Sequence, residues 1–569
     1  MAHHLENIFV SRGHSLKEVL AIMAVNKKDS SIPPGIALVV ENDKKLCGII
    51  TNGDIRRAFA AGMAVTDPVS RVMNPAPSVI VRPDGGEILP RVIAEIKSGR
   101  WPKDRLEKII ITDPKGHVLD LVSFYDLVQK SDTRFKHIGV VGLGYVGLTL
   151  GITLADLGFM VKGYEINKEV AEAIRCGKPH FYEAGLDRLL SDHLGKNFVV
   201  ASDFSKENNC DVYFIAVGTP LDGNHIPNLG HLEAAARRVG AVLKYGDAVV
   251  LRSTVPLGTT REVVLPILEK ESGLTAGEGF LLAFAPERTI EGRALEELRV
   301  LPQVIGGINH ASSDLVASIF NVLSHSTVIV ESLEAAEMVK LVNNTYRDVS
   351  FGFANEVSLV AHAWGIDAKE VIDAANYGYE RSRVPSPSPG VGGYCLEKDP
   401  YIFIESARKR GYALRMPADA RAVSTLMVER VAITIADFLQ DNKKGANAKI
   451  AILGFAFKGR PVTSDVRGST TLGVLEHIRA AGFKNINGFD PAVRPEDIKA
   501  TGVKLAHSAT DAFRNADVVL VMTDHPDFQA LPVRDLLATT KKPSLLFDTW
   551  SLYHPDEVKK VKGVVYRRL

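Results

Sequence analysis

The chain has 569 residues, is 46% hydrophobic and carries a formal net charge of +1 at pH 7. Its length exceeds what one hydrophobic core supports and indicates roughly three to five domains. The balanced charge argues against nucleic acid or an anionic membrane as a partner, and no apolar run is long enough to cross a bilayer.

The N-terminal residues and the cysteines indicate the compartment. Residues 1–7 lack the basic and apolar segments of a signal peptide. The four cysteines, Cys47, Cys176, Cys210 and Cys395, have neither the spacing of metal ligands nor that of a disulfide framework. Free thiols are typical of a reducing compartment, so we expect a cytoplasmic protein without a metal site.

One pattern occurs twice in residues 1–131. Strand patterns at 36–40 and 47–50 precede a helix start at Thr51 and Asp54, and strand patterns at 109–111 and 118–122 precede a second start at Ser123 and Asp126. The duplication resembles a CBS pair, a regulatory module. The resemblance implies that both Ser/Thr and Asp pairs hold the ribose of AMP or ATP. Plain helix N-caps would explain the same residues equally well.

After a polar linker at 131–136, strand and helix patterns alternate to about residue 330, with strands at 137–141, 160–165, 212–217 and 248–251. This alternation predicts a parallel, doubly wound sheet. Helical patterns at about 333–365 and 417–440 lead to a second α/β unit, with strands at 449–455, 486–489, 518–522 and 545–548. We therefore predict an α/β protein whose two Rossmann-like domains are joined by a helical spacer and preceded by an α+β CBS-pair domain.

The predicted domains are a CBS-pair module (1–131), an NAD-binding Rossmann domain (137–330), a central helical domain with a cysteine loop (331–440) and a C-terminal Rossmann-like domain (447–569). The first Rossmann pattern contains Gly142, Gly144 and Gly147 between a strand and a helix, which is where a pyrophosphate binds. Glu165 ends the next strand and would bind the adenosine ribose while repelling a 2′-phosphate, so NAD is preferred over NADP.

Cys395 lies in the glycine-rich stretch 390–400, shortly before Lys398 and Asp399. Glycines allow close backbone approach, and a cation beside a thiol favours the nucleophilic thiolate. Together with the dinucleotide motif, the stretch indicates an oxidoreductase that forms a covalent thioester.

From residue 137 to the C-terminus the motifs resemble the UDP-glucose/GDP-mannose dehydrogenase family. They occur in the family's order at residues 142–147, 216–220, 253–260, 286–288, 304–307, 336–344, 392–399 and 456–467. The resemblance implies that the C6 alcohol of a nucleotide sugar is oxidised to a carboxylate while two NAD⁺ are reduced.

The catalytic roles follow from that resemblance together with the chemistry. Lys340 and Asp399 form a proton relay for the alcohol, and Cys395 adds to the aldehyde and becomes a thioester. Glu287 is the base for hydrolysis, and Thr254 helps to hold the water. Asn344, four residues after Lys340 on one helix, stabilises oxyanion character at C6 together with that lysine.

Further contacts are implied by the resemblance alone. Those to the cofactor are assigned to Gly142, Gly144, Tyr145, Val146, Gly147, Glu165, Thr219, Thr254, Glu291 and Arg467. Those to the sugar nucleotide are assigned to Glu287, Lys340, Asn344, Gly392, Lys458 and either Arg381 or Arg383, of which the spacing favours Arg383. The arginine reaches the site of a neighbouring subunit in this family, so we expect a homodimer or a higher homo-oligomer.

Residues 286–292 resemble the branch acting on N-acetylated UDP-hexosamines, which leaves UDP-hexose and UDP-N-acetylhexosamine both open. Ser424 and Asn228 stand where the family usually has asparagine and aspartate, and segment 458–467 is longer than in simple UDP-glucose enzymes. Two other hypotheses remain: a two-electron dehydrogenase of another alcohol or hydroxyacid, and a nucleotide-sensing protein with an inactive dehydrogenase body. The resemblance implies a role in surface-polysaccharide precursors.

Overall fold

The computed structural model describes residues 2–25, 35–41, 43–82, 88, 109–122, 137–201, 204 and 210–569. The chain divides into two compact units, Met1–Arg134 and Phe135–Leu569. In the described ranges no helix is both long and apolar enough to cross a bilayer. The predicted polar linker at 131–136 lies outside the described residues.

The first unit contains two sheets of the same design. One has strands β1 (Phe9–Val10), β2 (Ile36–Val40) and β3 (Leu46–Thr51), and the other has β4 (Val79–Val81), β5 (Ile109–Thr112) and β6 (Val118–Val122). In both, the first two strands are parallel, the last two are antiparallel, and the register shifts once near the end of the middle strand. Helices α1 (Leu16–Val25) and α2 (Asn52–Ala60) belong to the first copy.

The second unit begins with an eight-stranded sheet in the order β14-β13-β12-β11-β10-β7-β8-β9. Its strands are β7 (His137–Val141), β8 (Met160–Tyr164), β9 (Phe198–Val200), β10 (Val212–Ile215), β11 (Ala248–Leu251), β12 (Leu281–Phe284), β13 (Gln303–Gly307) and β14 (Thr327–Val330). All neighbouring strands are parallel except β12 and β13. The predicted parallel sheet therefore contains one antiparallel pair.

Helices cover both faces of this sheet. They are α3 (Tyr145–Asp156), α4 (Lys168–Arg175), α5 (Leu186–His193), α6 (Gly230–Gly240), α7 (Leu265–Ser272), α8 (Ala294–Val300) and α9 (His310–Leu323). Because side chains alternate along a strand, Phe214 packs in one core and Tyr213 in the other. Strands buried on both faces explain the continuous apolar runs in the sequence.

Long helices connect the two Rossmann-like domains. They are α10 (Leu333–Trp364), α11 (Ala368–Asn376), α12 (Tyr394–Arg408) and α13 (Arg415–Asp441). The Ser332 side chain caps the N-terminus of α10, and Gly365 ends the helix with a φ of 69°. A Cβ at Gly352 would lie 2.9 Å from the Cβ of Ala420, so this glycine lets α10 and α13 pack closely.

The C-terminal sheet has the order β17-β16-β15-β18-β19-β20 and is parallel throughout. Its strands are β15 (Ile450–Leu453), β16 (Ile486–Phe489), β17 (Lys504–Leu505), β18 (Val518–Val521), β19 (Ser544–Asp548) and β20 (Val564–Arg568). The helices are α14 (Thr470–Ala480), α15 (Pro495–Ala500), α16 (Ala509–Phe513), α17 (Pro526–Gln529), α18 (Val533–Ala538) and α19 (Pro555–Lys559). Both sheets end near the cysteine helix α12, and the loops there build the site.

Candidate active site

The turn between β7 and α3 has the geometry that a dinucleotide pyrophosphate needs. Gly142 has a φ of 89°, and a Cβ there would lie 2.9 Å from the carbonyl oxygen of Ala216. A Cβ at Gly147 would lie 1.8 Å from the carbonyl oxygen of Gly142, whereas the space beside Gly144 is open. The three glycines therefore make the tight turn, leave room for phosphate and let the helix pack on the strand.

Glu165 follows β8 directly and lies beside this turn. Its carboxylate accepts hydrogen bonds from the backbone N–H groups of Leu143 and Asn167, both at 2.8 Å. A carboxylate there suits a ribose with free hydroxyls and repels a 2′-phosphate. The next residue, Ile166, is 76% exposed and offers an apolar surface for the base. The sequence analysis did not single out Ile166, although an apolar residue directly after the strand-ending acid is a usable signal.

Tyr145 and Val146 form the first turn of α3, and both are half-buried. The Tyr145 hydroxyl donates a hydrogen bond to the Glu183 carboxylate, and the Gly292 N–H donates to the same oxygen at 2.8 Å. Burial and Glu183 raise the pKa of the Tyr145 hydroxyl above its ordinary value, so it remains a donor. Glu183 thus ties the dinucleotide turn to residues 286–292. No local pattern marks Glu183, because its partners are 38 and 109 residues away.

Cys395 lies in the first turn of α12, at the end of a glycine loop packed on the C-terminal domain. The Gly393 N–H donates to the carbonyl oxygen of Gly468 at 2.9 Å. A Cβ at Gly392 would lie 2.5 Å from that oxygen, and a Cβ at Gly393 would lie 2.6 Å from the Phe457 ring. Glycine is therefore required at both positions for this close approach.

Asp399 connects the cysteine helix to α10. One carboxylate oxygen accepts from Lys398 Nζ and the other from Asn344 Nδ2, both at 2.6 Å. Asp399 is fully buried, and Lys398, which donates to it, is almost fully buried. The structure thus brings Asn344, Asp399 and Cys395 together across two helices.

Lys340 faces Glu287 rather than bonding Asp399 directly. Lys340 Nζ lies 3.8 Å from Glu287 Oε2, and both side chains are only 9% exposed. Thr254 follows β11, and its carbonyl oxygen accepts a hydrogen bond from the Thr219 hydroxyl at 2.6 Å. A relay between Lys340 and Asp399 therefore needs a bridging group such as water.

The Cys395 thiol is harder to ionise than the neighbouring lysine led us to expect. Cys395 is exposed, but the loss of water around its thiol, followed by the charge of Asp399, raises the pKa of the thiol to about 11. Lys340 and Lys398 act in the opposite direction without reversing the shift. The neighbouring lysines alone therefore do not favour the thiolate in the protein without ligands.

Three more candidate residues, Glu291, Lys458 and Arg467, lie where the C-terminal domain meets residues 286–292. Lys458 Nζ donates to the carbonyl oxygen of Glu291 at 2.8 Å. Burial and the nearby Asp465 raise the pKa of Glu291 to about 7, while burial lowers the pKa of Lys458 to about 8. Arg467 pairs with Asp465 at 2.6 Å and lies 5.0 Å over the Tyr394 ring. Glu291 and Lys458 can thus each change protonation near neutral pH.

Arg383 stands apart from this cluster. It follows the short helix Glu380–Ser382 and is exposed, and the next residue, Val384, is held by two backbone hydrogen bonds to the Asn376 amide. Among the described side chains, Arg383 forms no hydrogen bond or ion pair with the residues around Asp399. The alternative, Arg381, lies 5.7 Å over the Tyr379 ring.

The departures from the family pattern retain supporting contacts. Ser424 accepts a hydrogen bond from the Val391 N–H at 2.7 Å, so it holds the cysteine loop. One turn earlier, Arg421 forms a buried two-point ion pair with Asp348 at 2.6 and 2.9 Å. Asn228 accepts from the Gly230 N–H at 2.9 Å in the turn that leads into α6.

In the first unit, Thr51 and Asp54 form a capping box at the start of α2. The Asp54 carboxylate accepts from the Thr51 N–H at 2.8 Å and from its hydroxyl at 2.7 Å. Arg57 pairs with the other carboxylate oxygen at 2.6 Å. The predicted second pair, Ser123 and Asp126, lies outside the described residues. Across the described parts of both units, no cluster of three His, Cys, Asp or Glu residues could hold a metal ion.

Three family profiles match consecutive parts of the second unit. Residues 136–348 match the NAD binding domain of the UDP-glucose/GDP-mannose dehydrogenase family, residues 334–425 its central domain, and residues 451–555 its UDP binding domain. Residues 4–61 match the CBS domain.

Curated relatives carry two kinds of name. The chain is 36% identical over 396 residues to UDP-N-acetyl-D-mannosamine dehydrogenase of Pyrococcus horikoshii, covering 69% of this chain and 90% of that protein. The enzyme of the same name from Escherichia coli K12 is 31% identical over 405 residues, covering 70% and 95%. NDP-N-acetyl-D-galactosaminuronic acid dehydrogenase of Ralstonia nicotianae is 31% identical over 407 residues, covering 70% and 93%.

Solved structures agree with this relationship. The P. horikoshii UDP-D-ManNAc dehydrogenase superposes with a TM-score of 0.69 at 32% identity, covering 76% of this chain and 98% of that one. A UDP-glucose dehydrogenase from Pyrobaculum islandicum gives a TM-score of 0.67 at 28% identity, covering 77% and 98%. The glycine turn and Glu165 fit NAD, the cofactor named by the family's NAD binding domain, which matches residues 136–348. The chain belongs to the UDP-glucose/GDP-mannose dehydrogenase family and carries an N-terminal CBS domain.

Proposed function

We propose that this protein oxidises the C6 hydroxyl of a UDP-linked N-acetylhexosamine to a carboxylate in two steps, through a thioester on Cys395. NAD, when bound, accepts one hydride in each step. The observation that carries the proposal is the meeting of Asn344, Asp399 and Cys395 with the Lys340–Glu287 pair. A two-electron dehydrogenase would need neither the thiol nor the hydrolytic base.

In the first step the C6 hydroxyl loses its proton to the relay of Lys340 and Asp399 while a hydride leaves C6. Asn344 holds one oxygen of Asp399 and Lys398 holds the other, so the carboxylate keeps a fixed orientation. Lys340 Nζ, buried beside Glu287, can stabilise negative charge on the C6 oxygen. The product of this step is an aldehyde.

In the second step the Cys395 thiol adds to the aldehyde carbon and its proton goes to the aldehyde oxygen, which gives a thiohemiacetal. A thioester forms when a second hydride leaves that carbon for NAD and the hydroxyl proton passes to the same relay. Since the thiol pKa is about 11 without ligands, a positive charge bound nearby would promote its ionisation. Glu287 then takes a proton from water, which attacks the thioester and releases the carboxylate and the thiol. Thr254 holds this water.

The decisive measurement is the number of NADH molecules formed per sugar nucleotide consumed. Wild type should give two with its true substrate, and Cys395→Ala should give no carboxylate. One NADH per sugar would support the two-electron alternative. No turnover with any sugar nucleotide would support an inactive dehydrogenase body.

The names of the relatives favour UDP-N-acetylmannosamine as the first substrate to test. UDP-N-acetylglucosamine, UDP-N-acetylgalactosamine, UDP-glucose and GDP-mannose complete the panel. Residues 286–292 and the long segment 458–467 meet at Gly292, where a Cβ would lie 2.7 Å from the Val462 carbonyl oxygen. This junction lies beside Lys458, so the two segments are the place where sugars would be distinguished. The product would be a uronate for surface polysaccharide.

A homo-oligomer is the proposed assembly. A stripe of apolar residues runs along the exposed side of α10, formed by Met338, Val342, Tyr346, Phe353, Val360 and Trp364, which are 40–77% exposed. Stripes of this size usually mark an interface. A second copy packed on it would bury the stripe and offer its exposed Arg383 to the first copy.

Subunit mixing tests this arrangement. Arg383→Ala and Cys395→Ala should each be inactive alone, whereas a mixture allowed to exchange subunits should recover about one quarter of wild-type activity. In a hybrid dimer, the subunit that retains Cys395 receives the intact arginine from its partner. No recovery, with exchange verified by mass, would contradict a shared site.

The CBS domain is proposed to bind an adenine nucleotide at Thr51 and Asp54 and so to tune activity. An effect on activity requires different affinities in two states of the enzyme. AMP or ATP should raise the melting temperature of wild type, and Asp54→Asn should weaken this effect. If neither AMP nor ATP changes the melting temperature or the kinetics of wild type, the CBS domain does not tune activity by binding an adenine nucleotide.

A further inference from the structure

Residues 253–260, here called the Thr254 segment, follow β11 and connect three parts of the site. The Thr254 carbonyl oxygen accepts from Thr219, which lies after β10. The Leu257 N–H donates to Ser406 Oγ on the cysteine helix at 3.1 Å. The segment therefore bridges the NAD-binding domain and α12.

Its third attachment is to Glu337 on α10. One Glu337 oxygen accepts from the Gly258 N–H at 2.6 Å, and the other accepts from the Thr260 N–H at 2.8 Å and the Thr260 hydroxyl at 2.6 Å. Glu337 is only 1% exposed. It lies three residues before Lys340, so one helix turn carries both the attachment and a candidate catalytic group.

Burying the Glu337 carboxylate to hold the Thr254 segment costs free energy of desolvation. Burial raises the pKa of Glu337 to about 7, although its three hydrogen bonds act to lower it. The nearest charged residues offer little compensation, because Glu334 repels it and Arg261 is engaged by Glu334 at 2.6 Å. A buried charge with neutral partners adds little net stability, so its contribution is geometric.

The geometry is specific to a carboxylate. Three donors converge on two oxygens, which an amide cannot accept equally, because its NH₂ group would face a backbone N–H. Gly258 has a φ of 85°, and its N–H is one of the three donors. The contact therefore fixes both the turn and its distance from α10.

We propose that Glu337 is a positioning residue for thioester hydrolysis: it holds the Thr254 segment at a fixed distance from the Lys340–Glu287 pair, so that water is aligned for attack. The inference rests on the proposed function and extends it to a residue that contacts neither substrate nor cofactor. Its removal should slow hydrolysis while leaving the binding of NAD and of the sugar nucleotide largely unchanged.

The test compares Glu337→Gln with Glu334→Gln in the full chain. In the first variant the amide oxygen can still serve Thr260, but the Gly258 N–H loses its acceptor. We expect kcat to fall by about tenfold to a hundredfold and both KM values to stay within about threefold. Because hydrolysis is the slowed step, the sugar should accumulate as a covalent adduct on Cys395, seen by intact mass.

The control, Glu334→Gln, removes a more exposed carboxylate on the same helix turn that pairs with Arg261. Its kcat should remain within about twofold of wild type. If Glu337→Gln does not fold, Thr260→Val removes one of the three bonds and should give a smaller loss of the same kind.

Equal kinetics of Glu337→Gln and Glu334→Gln would overturn the inference. The inference would also be overturned if the activity of Glu337→Gln fell only in proportion to the amount of folded protein. A rise in KM without a fall in kcat would overturn it as well. Failure of the proposed function is visible separately: wild type would then give one NADH per sugar, or Cys395→Ala would still form the carboxylate.

Discussion

Replacing Asp399 with asparagine should make Cys395 more reactive while abolishing turnover. After burial, the charge of Asp399 is the largest contribution that raises the thiol pKa to about 11. Asparagine keeps an oxygen for the Asn344 amide but removes the negative charge. It also leaves the Lys398 ammonium without its counterion, which further favours the thiolate.

The magnitude follows from these charges. A neighbouring charge shifts a pKa by about one to three pH units, and we take the lower value because Cys395 is exposed. At pH 8 a thiol of pKa about 11 is roughly one thousandth ionised, and Asp399→Asn should raise this fraction about tenfold. The alkylation rate should rise in proportion, since the thiolate is the nucleophile.

The assay is alkylation by iodoacetamide between pH 7 and 10 without NAD, with each cysteine followed by peptide mass. Cys176 is exposed and serves as the internal control, with equal rates in both proteins. Lys340→Met should have the opposite effect and slow alkylation of Cys395, because Lys340 lowers the thiol pKa. An unchanged or slower rate at Cys395 in Asp399→Asn would refute the electrostatic reasoning.

Three further changes have defined outcomes. Arg421→Met leaves Asp348 buried without its partner and should lower the free energy of unfolding by about 3–5 kcal/mol in urea titrations; a loss below about 1 kcal/mol would contradict this. Glu287→Gln should release about two equivalents of NADH per active site rapidly and then stall with the sugar bound to Cys395 as a thioester; continued turnover at the wild-type rate would exclude the base role. The free energy of unfolding of Glu291→Gln should rise relative to that of wild type by up to about 3 kcal/mol between pH 5 and pH 8. The reason is that a carboxyl whose pKa is raised to about 7 in the folded protein loses its stabilising contribution as the pH rises through that value. An equal difference between the two proteins at pH 5 and at pH 8 would contradict this.

The sequence predicts the sheets better than the cysteine helix. Strands such as His137–Val141 and Ala248–Leu251 begin and end as expected, because buried parallel strands require continuous apolar runs. From the sequence, Cys395 is described only as part of the glycine-rich stretch 390–400, yet helix α12 begins at Tyr394 and continues past Pro400 to Arg408. Proline usually ends a helix, so Pro400 argues against such an extension.

Within the site, the limit is set by contacts between distant residues. Lys340 and Asn344 could be paired because helical spacing places them on one face. Glu183 and Glu337 could not be found this way, since each acts on backbone groups 77 to 109 residues away in its longest contacts. The direction of the Cys395 pKa was missed for a related reason: the lysine is visible in the sequence, whereas burial is not.

The glycine loop before Cys395 has a consequence for engineering. Its backbone is hydrogen-bonded to Gly468 and packed against Phe457, both in the C-terminal domain. Exchanging that domain for one with another nucleotide or sugar preference would therefore also move the nucleophile. A working chimaera needs residues 390–393 and 454–470 transplanted as a single unit, which makes this pair of segments, rather than the domain boundary, the natural crossover point.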